Sequence, residues 1–205
     1  MRGVFQKLEK AVVLKAVVDL KEEKSAQMAS FLKGIAGLSP KLSLELYSPE
    51  ESGILSAQTR EQGTEIDVSH LPVTGIFVDG LYQRAAFHGV PGGKEINSFV
   101  IGIYNAAGPG QPLSEHDRAA ILALPAHEID LIVSLTCRIC PDVVTVAQHI
   151  AALNPKITVR VRDLVHHGHW KARYHIMGVP CLIVDGGRDV QFGKKTMKDL
   201  LDLLA

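Results

Sequence analysis

Apolar positions along this 205-residue chain recur with two alternating periods. Residues 11–20 form a β-branched apolar run of strand length, and residues 22–35 then space their apolar positions as a helix does. Residues 41–47 alternate apolar and polar, with Leu42, Leu44 and Leu46 on one face, which predicts a strand. Residues 48–69 are polar, rich in charge and glycine, and read as a loop holding at most a short strand. A strand at 75–79, a turn at Gly80, a strand at 84–87 and a helix over 94–106 follow.

Gly108-Pro109-Gly110-Gln111-Pro112 interrupts both periods and reads as the junction between two halves, 1–110 and 111–205. Beyond it, Ser114 suits the cap of a short helix over 115–123, and residues 128–135 read as a strand. Val143, Val146, Ala147, Ile150 and Leu153 lie at helical spacing before the stop at Asn154-Pro155. Ile157, Val159 and Val161 alternate with Thr158, Arg160 and Arg162 as a strand. A helical segment at 169–175, a strand at 182–185, a Gly186-Gly187 turn, a strand at 190–192 and a helix over 196–204 close the pattern. Each half thus runs strand, helix, strand, connection, X-Pro, strand, turn, strand, helix. Ile76-Phe77-Val78-Asp79-Gly80 corresponds to Leu182-Ile183-Val184-Asp185-Gly186, so the chain reads as a duplicated α/β unit of roughly 95 residues.

Composition narrows the function. The chain is 46% hydrophobic and 21% charged, enough apolar content for a substantial core. Lys+Arg and Asp+Glu balance at 22 each, so no net field points to nucleic acid or a membrane surface. No apolar run approaches the ~20 residues that span a bilayer, and the first residues carry no apolar signal core. Three unevenly placed cysteines do not make a secreted disulfide framework, and the expected compartment is the cytoplasm.

The densest chemistry is Cys137-Arg138-Ile139-Cys140-Pro141, set between a strand-like and a helix-like run. Two cysteines three apart at a helix start share one turn, close enough for their sulfurs to form and break a disulfide. Unpaired N–H groups and the helix dipole there favour a thiolate over the thiol. Cys137, expected at the helix tip, suits the nucleophile, and Cys140, expected one turn in, suits the resolving thiol. Arg138 either adds a positive charge favouring the thiolate or is a solvated side chain. Half of a zinc site is the rival reading, with His166-His167-Gly168-His169 as the second pair, and two inert core thiols is a third. The strand–dithiol–helix context favours redox exchange. In the first half the corresponding place holds Lys21-Glu22-Glu23-Lys24, so only the second half carries a dithiol.

Other candidates each have a bland reading. Cys181 reads first as a small core residue and otherwise as a third thiol near the dithiol. Glu95, in Pro91-Gly92-Gly93-Lys94-Glu95, is by itself a first-turn acid favoured by the helix dipole. His166, His167, His169 and His175 read as surface or helix-start residues before they read as ligands. Trp170 beside them suits a docking face, but the sequence does not decide it.

Cys137–Val144 as Cys-x-x-Cys-Pro-Asp-Val-Val, then Ala151-x-Leu153-Asn154-Pro155-x-Ile157, then Met177-Gly178-Val179-Pro180, resembles the N-terminal domain of the flavoprotein component of bacterial alkyl hydroperoxide reductase. The resemblance is strong after Glu128 and weaker but collinear before it. It implies two fused thioredoxin-like folds, with mixed central sheets flanked by helices and one active dithiol in the second fold. The related archaeal-type protein disulfide oxidoreductases also pair two such folds but carry a dithiol in each. The resemblance implies Cys137 as nucleophile, Cys140 as resolving thiol and Pro180 as a cis proline beside them. The Val179 backbone would then be free to pair with a substrate strand, and Arg138, Ile139, Val179 and Pro180 are the expected substrate-binding positions. Glu95 matches the family glutamate, in Gly89-x-Pro91-x-Gly93-x-Glu95-x-x-Ser98-x-Val100, that approaches the dithiol from the first fold and would carry its proton.

The implied function is thiol–disulfide electron transfer in peroxide detoxification, with a peroxiredoxin downstream and a flavoprotein dithiol donor upstream. Arg138-Ile139 departs from the family's His-Asn, which bears on the redox potential. The chain also ends at Ala205 without a Gly-x-Gly-x-x-Gly fingerprint. No cofactor or metal is therefore expected on it, and FAD and NADH belong to a separate or missing reductase module. The alternatives are a general protein disulfide oxidoreductase or isomerase, and a non-catalytic metal-binding or docking module.

Overall fold

The computed structural model describes Met1–Ala205. A four-residue helix α1 (Arg2–Phe5) precedes strand β1 (Val12–Val17), helix α2 (Glu23–Ala36), strand β2 (Leu42–Tyr47) and helix α3 (Ser52–Glu61). Strands β3 (Val73–Val78) and β4 (Leu81–His88) form a hairpin, followed by helix α4 (Ile96–Ala107). The second half contains α5 (Glu115–Ala123), β5 (His127–Val133), α6 (Cys140–Leu153) and β6 (Ile157–Asp163), then α7 (Gly168–Arg173), β7 (Cys181–Val184), β8 (Asp189–Phe192) and α8 (Met197–Leu204).

All eight strands form one mixed sheet in the order β2-β1-β3-β4-β6-β5-β7-β8. The first four and the last four repeat one scheme: a parallel outer pair, then two antiparallel pairings. The halves meet where β4 runs parallel to β6, with Ala85 opposite Val159 and His88 opposite Arg162. The two sheets expected from the sequence are therefore fused edge to edge, which removes two unpaired edges from water.

Strand alternation sorts the side chains into two faces. One face, with α1, α2, α4, α5, α6 and α8, holds a continuous core of 36 residues running through both halves. The other carries two smaller cores: Leu55, Ile66 and Phe77 under α3, and Ile132, Trp170 and Cys181 under α7. Between those small cores Arg162, expected on the polar side of its strand, is buried. Its guanidinium lies 2.7 Å from both Asp130 and Asp67 and 4.7 Å from the centre of the Trp170 ring. Burial this deep requires such pairing, because an unpaired charge there is costly.

Helix α3 corrects the loop expected over 48–69. Ser48 and Glu51 form a reciprocal capping box around a 3₁₀ turn that opens on Pro49, and α3 continues from it. Its buried face is only Leu55, Ser56 and Thr59, too polar to register as an amphipathic period. Thr59 is the clasp. Its hydroxyl oxygen accepts the Ile66 N–H at 2.9 Å and lies 3.1 Å from the Leu55 carbonyl. Thr59→Val keeps the shape and removes that acceptor from a buried N–H. It should cost about 1–3 kcal/mol in denaturant unfolding with no change in dithiol chemistry; a loss of a few tenths would show that the clasp is dispensable.

Candidate active site

A turn through 134–139 carries the chain from β5 into α6. The Cys137 N–H donates to the Ser134 carbonyl at 2.9 Å, which turns Cys137 towards the start of α6. Cys137 and Cys140 are joined as a disulfide, with their Cα atoms 5.6 Å apart. The Cys140 N–H points at the Cys137 sulfur at 3.1 Å. When the bond is reduced, that N–H and the positive end of α6 favour a Cys137 thiolate. Cys137 is half-buried and Cys140 fully buried, so only the first sulfur is open to a partner.

Spacing predicts Cys140 one turn inside the helix; it is instead the first helical residue, and Cys137 precedes the helix. Arg138 and Ile139 are taken up by the turn, and Pro141 fits the first helical turn because it has no N–H to leave unpaired. Both intervening residues are exposed, and Arg138 makes no ion pair or side-chain hydrogen bond.

Facing the dithiol is the segment before β7. The Val179–Pro180 peptide is cis, and the Val179 carbonyl oxygen lies 3.9 Å from the Cys137 sulfur. Ladder pairing starts only at Cys181, which leaves the Val179 backbone outside the sheet. Met177 in the same segment is 87% exposed.

Glu95 comes from the other half. It ends a 3₁₀ turn, Gly93–Glu95, that packs against α6. Gly93 has φ +54°, and a Cβ there would sit 2.5 Å from the Leu135 carbonyl oxygen, so only glycine permits this approach. The Lys94 N–H donates to that same carbonyl at 2.9 Å, fixing the turn two residues from Cys137. Glu95 directly precedes α4, where the helix dipole favours an acid, and it is only 1% exposed. Burial raises its pKa to about 7 and the negative charge of Asp163 adds to this, while a hydrogen bond from Ser98 opposes them.

Cys181 is fully buried under α7, and burial lifts its thiol to about 11, consistent with the core-residue reading. His167 directly precedes α7, as the helix-start reading expects, but it is buried, and its ring lies 5.5 Å from that of His70 and 5.9 Å from that of His88. Burial lowers the pKa of His167 to about 4, and that of His88 falls well below its ordinary value for the same reason. His70 and His88 had no signal in the sequence, since each stands alone in its segment and only the fold brings them to the second half. No group of three or more His, Cys, Asp or Glu side chains is placed to hold a metal ion. The zinc pairing of the dithiol with 166–169 is not assembled: the sulfurs bond to each other. No helix is long and apolar enough to cross a membrane.

A thioredoxin-like architecture, with a dithiol at a helix start and a cis proline beside it, defines a thiol–disulfide oxidoreductase. No family model matches the chain. Among solved structures, the chain is similar over its whole length to the N-terminal domain of the alkyl hydroperoxide reductase AhpF from Enterococcus faecalis. The two are 37% identical with a TM-score of 0.90, and 95% of that domain is covered. The chain therefore belongs to the family of that N-terminal domain. The corresponding alkyl hydroperoxide reductase protein of Staphylococcus aureus is 28% identical over 185 residues, 89% of this chain. That of Staphylococcus epidermidis is 32% identical over 143 residues, 69% of this chain. The matched residues span 32% and 27% of the length of these two curated relatives. A protein disulfide oxidoreductase from Aeropyrum pernix shares the fold at 20% identity, with a TM-score of 0.84.

Proposed function

We propose that this chain passes electron pairs from a flavoprotein dithiol to the disulfide of a peroxiredoxin, in the cytoplasm, as part of peroxide reduction. The observation that carries the reading is the Cys140 N–H aimed at the Cys137 sulfur at the head of α6, with the Val179 backbone alongside. Cys137 attacks the partner disulfide as a thiolate and forms a mixed disulfide. Cys140 then attacks the Cys137 sulfur, closes the internal disulfide and expels the partner's second thiolate. An extended partner segment pairs with the Val179 backbone next to Pro180, while exposed Arg138 and Ile139 meet its flanks. Glu95 takes the proton that Cys140 must lose before it attacks.

In this reading residues 1–110 form a unit without a dithiol that supplies Glu95 and one wall of the site, and residues 111–205 form the thiol-bearing unit. FAD and NADH belong to a reductase module outside these residues. The test mixes the fully reduced protein with an oxidised two-cysteine peroxiredoxin and, separately, with insulin. The proposal expects stoichiometric reduction of the peroxiredoxin, much faster than that of insulin. Equal rates would favour a general disulfide oxidoreductase instead.

A further inference from the structure

Asp163 ends β6, two residues beyond the core residue Val161 and therefore on the same face of the sheet. Asp163 and Glu95 line one cavity of about 10 Å³, which Phe87, Val133 and Leu135 also line. That is room for about one water molecule. Glu95 is held on one side by Ser98 at Oε2, while its Oε1 is buried with no hydrogen-bond partner in the protein. A buried carboxylate oxygen left this way calls for a water or a proton. Asp163 accepts the Val165 N–H through Oδ1 at 3.1 Å, and its Oδ2 stands at ion-pair distance, 3.7 Å, from His166 Nε2. The same nitrogen is 3.2 Å from the Nζ of exposed Lys24. Gly89, with φ +106°, lies between them, where a Cβ would stand 3.3 Å from both Asp163 Cβ and His166 Cδ2. Glu95, the shared cavity, Asp163, His166 and exposed Lys24 thus follow one another from a buried carboxyl toward the surface.

We propose that Asp163 and His166 are the proton exit of Glu95, joined to it by one water in the shared cavity. The proposal rests on reading Glu95 as the proton acceptor for Cys140. In the closing step the Cys140 thiol gives its proton to the Glu95 carboxylate, and its electron pair forms the bond to the Cys137 sulfur. The partner sulfur leaves as a thiolate, so the partner is reduced by two electrons and this dithiol is oxidised by two. The proton on Glu95 then passes through the water and Asp163 to His166 and out to solvent. The reverse path reloads Glu95 when the disulfide is reduced again. The charged groups facing His166 are Asp163 and Lys24, from β6 and α2. Burial and Lys24 lower its pKa against the opposing charge of Asp163, so the ring is neutral at neutral pH.

The test follows release of the second thiol when the reduced protein meets excess hydroxyethyl disulfide between pH 6 and 8. Below about pH 7 Glu95 already carries a proton, which must leave by this route before it can take that of Cys140. His166→Ala should slow this step by about tenfold, below the ~10²–10⁴ of a group that touches the reacting atoms. Added imidazole should restore the His166→Ala rate. Asp163→Asn, which keeps the acceptor for Val165, should slow the step likewise, and circular dichroism checks that both variants fold. Glu95→Gln should be slow with or without imidazole. A His166→Ala protein that is as fast as wild type, or slow and not restored by imidazole, overturns the exit route even if Glu95→Gln is slow. A fast Glu95→Gln with an unchanged pH profile removes the Glu95 reading itself, and the exit route with it.

Discussion

The Cys137→Ser protein is expected to lose disulfide exchange entirely, down to the rate without protein. The half-buried sulfur is the one that receives the Cys140 N–H at 3.1 Å, and it is also the one within 3.9 Å of the Val179 carbonyl. No other sulfur can substitute: Cys140 and Cys181 are both fully buried, and burial holds the Cys181 thiol at about 11, neutral at physiological pH. Cys140→Ser should behave differently. Its Cys137 still attacks, but nothing resolves the product, so the variant should accumulate a mixed disulfide with its partner. Non-reducing electrophoresis followed by mass spectrometry distinguishes the two outcomes. A trapped adduct on Cys140 of the Cys137→Ser protein would reverse the assigned order of attack. Turnover retained in both variants would remove the mechanism.

The parts of the fold legible in the sequence are those where one local rule governs. The strands show up as β-branched runs, α5 through its Ser114 cap, which accepts the Asp117 N–H, and α8 through Thr196 and Asp199. The duplication is legible because the Val-Asp-Gly turns repeat in register. What escaped is decided by tertiary contact. Helix α3 has a short, polar buried face pinned by Thr59. Arg162 looks like an outward strand residue, and its burial is explained by Asp130 on the neighbouring strand together with Asp67, 95 residues earlier in the chain. The site divides along the same line. Spacing alone singles out Cys137 and Cys140, because their chemistry needs only one turn of chain. Glu95 acquires meaning only when a glycine-permitted turn presses it against the other half, and Asp163 and His166 only when β4 and β6 pair.

Glu95→Gln should change both rate and stability, and the two effects have opposite signs. In the folded protein the carboxyl titrates at about 7, against an ordinary 4.5, because burial and the charge of Asp163 disfavour its ionised form. The folded state therefore holds a proton that the unfolded chain releases between those values. The stabilisation is fully present below pH 4.5 and is lost as pH rises through about 7. A gap of about 2.5 pH units corresponds to about 3 kcal/mol. The disulfide form isolates this contribution, since its joined sulfurs do not titrate. Urea unfolding at pH 4.5 and pH 8 should show the wild type losing about 3 kcal/mol relative to Glu95→Gln. Exchange moves the other way. Without a carboxylate to take the Cys140 proton, the closing step should slow by about 10²–10⁴ and lose its inflection near pH 7. A wild type whose stability does not fall across that range relative to the variant would mean that Glu95 reaches water, and an acid in contact with water has no reason to be matched to a buried thiol.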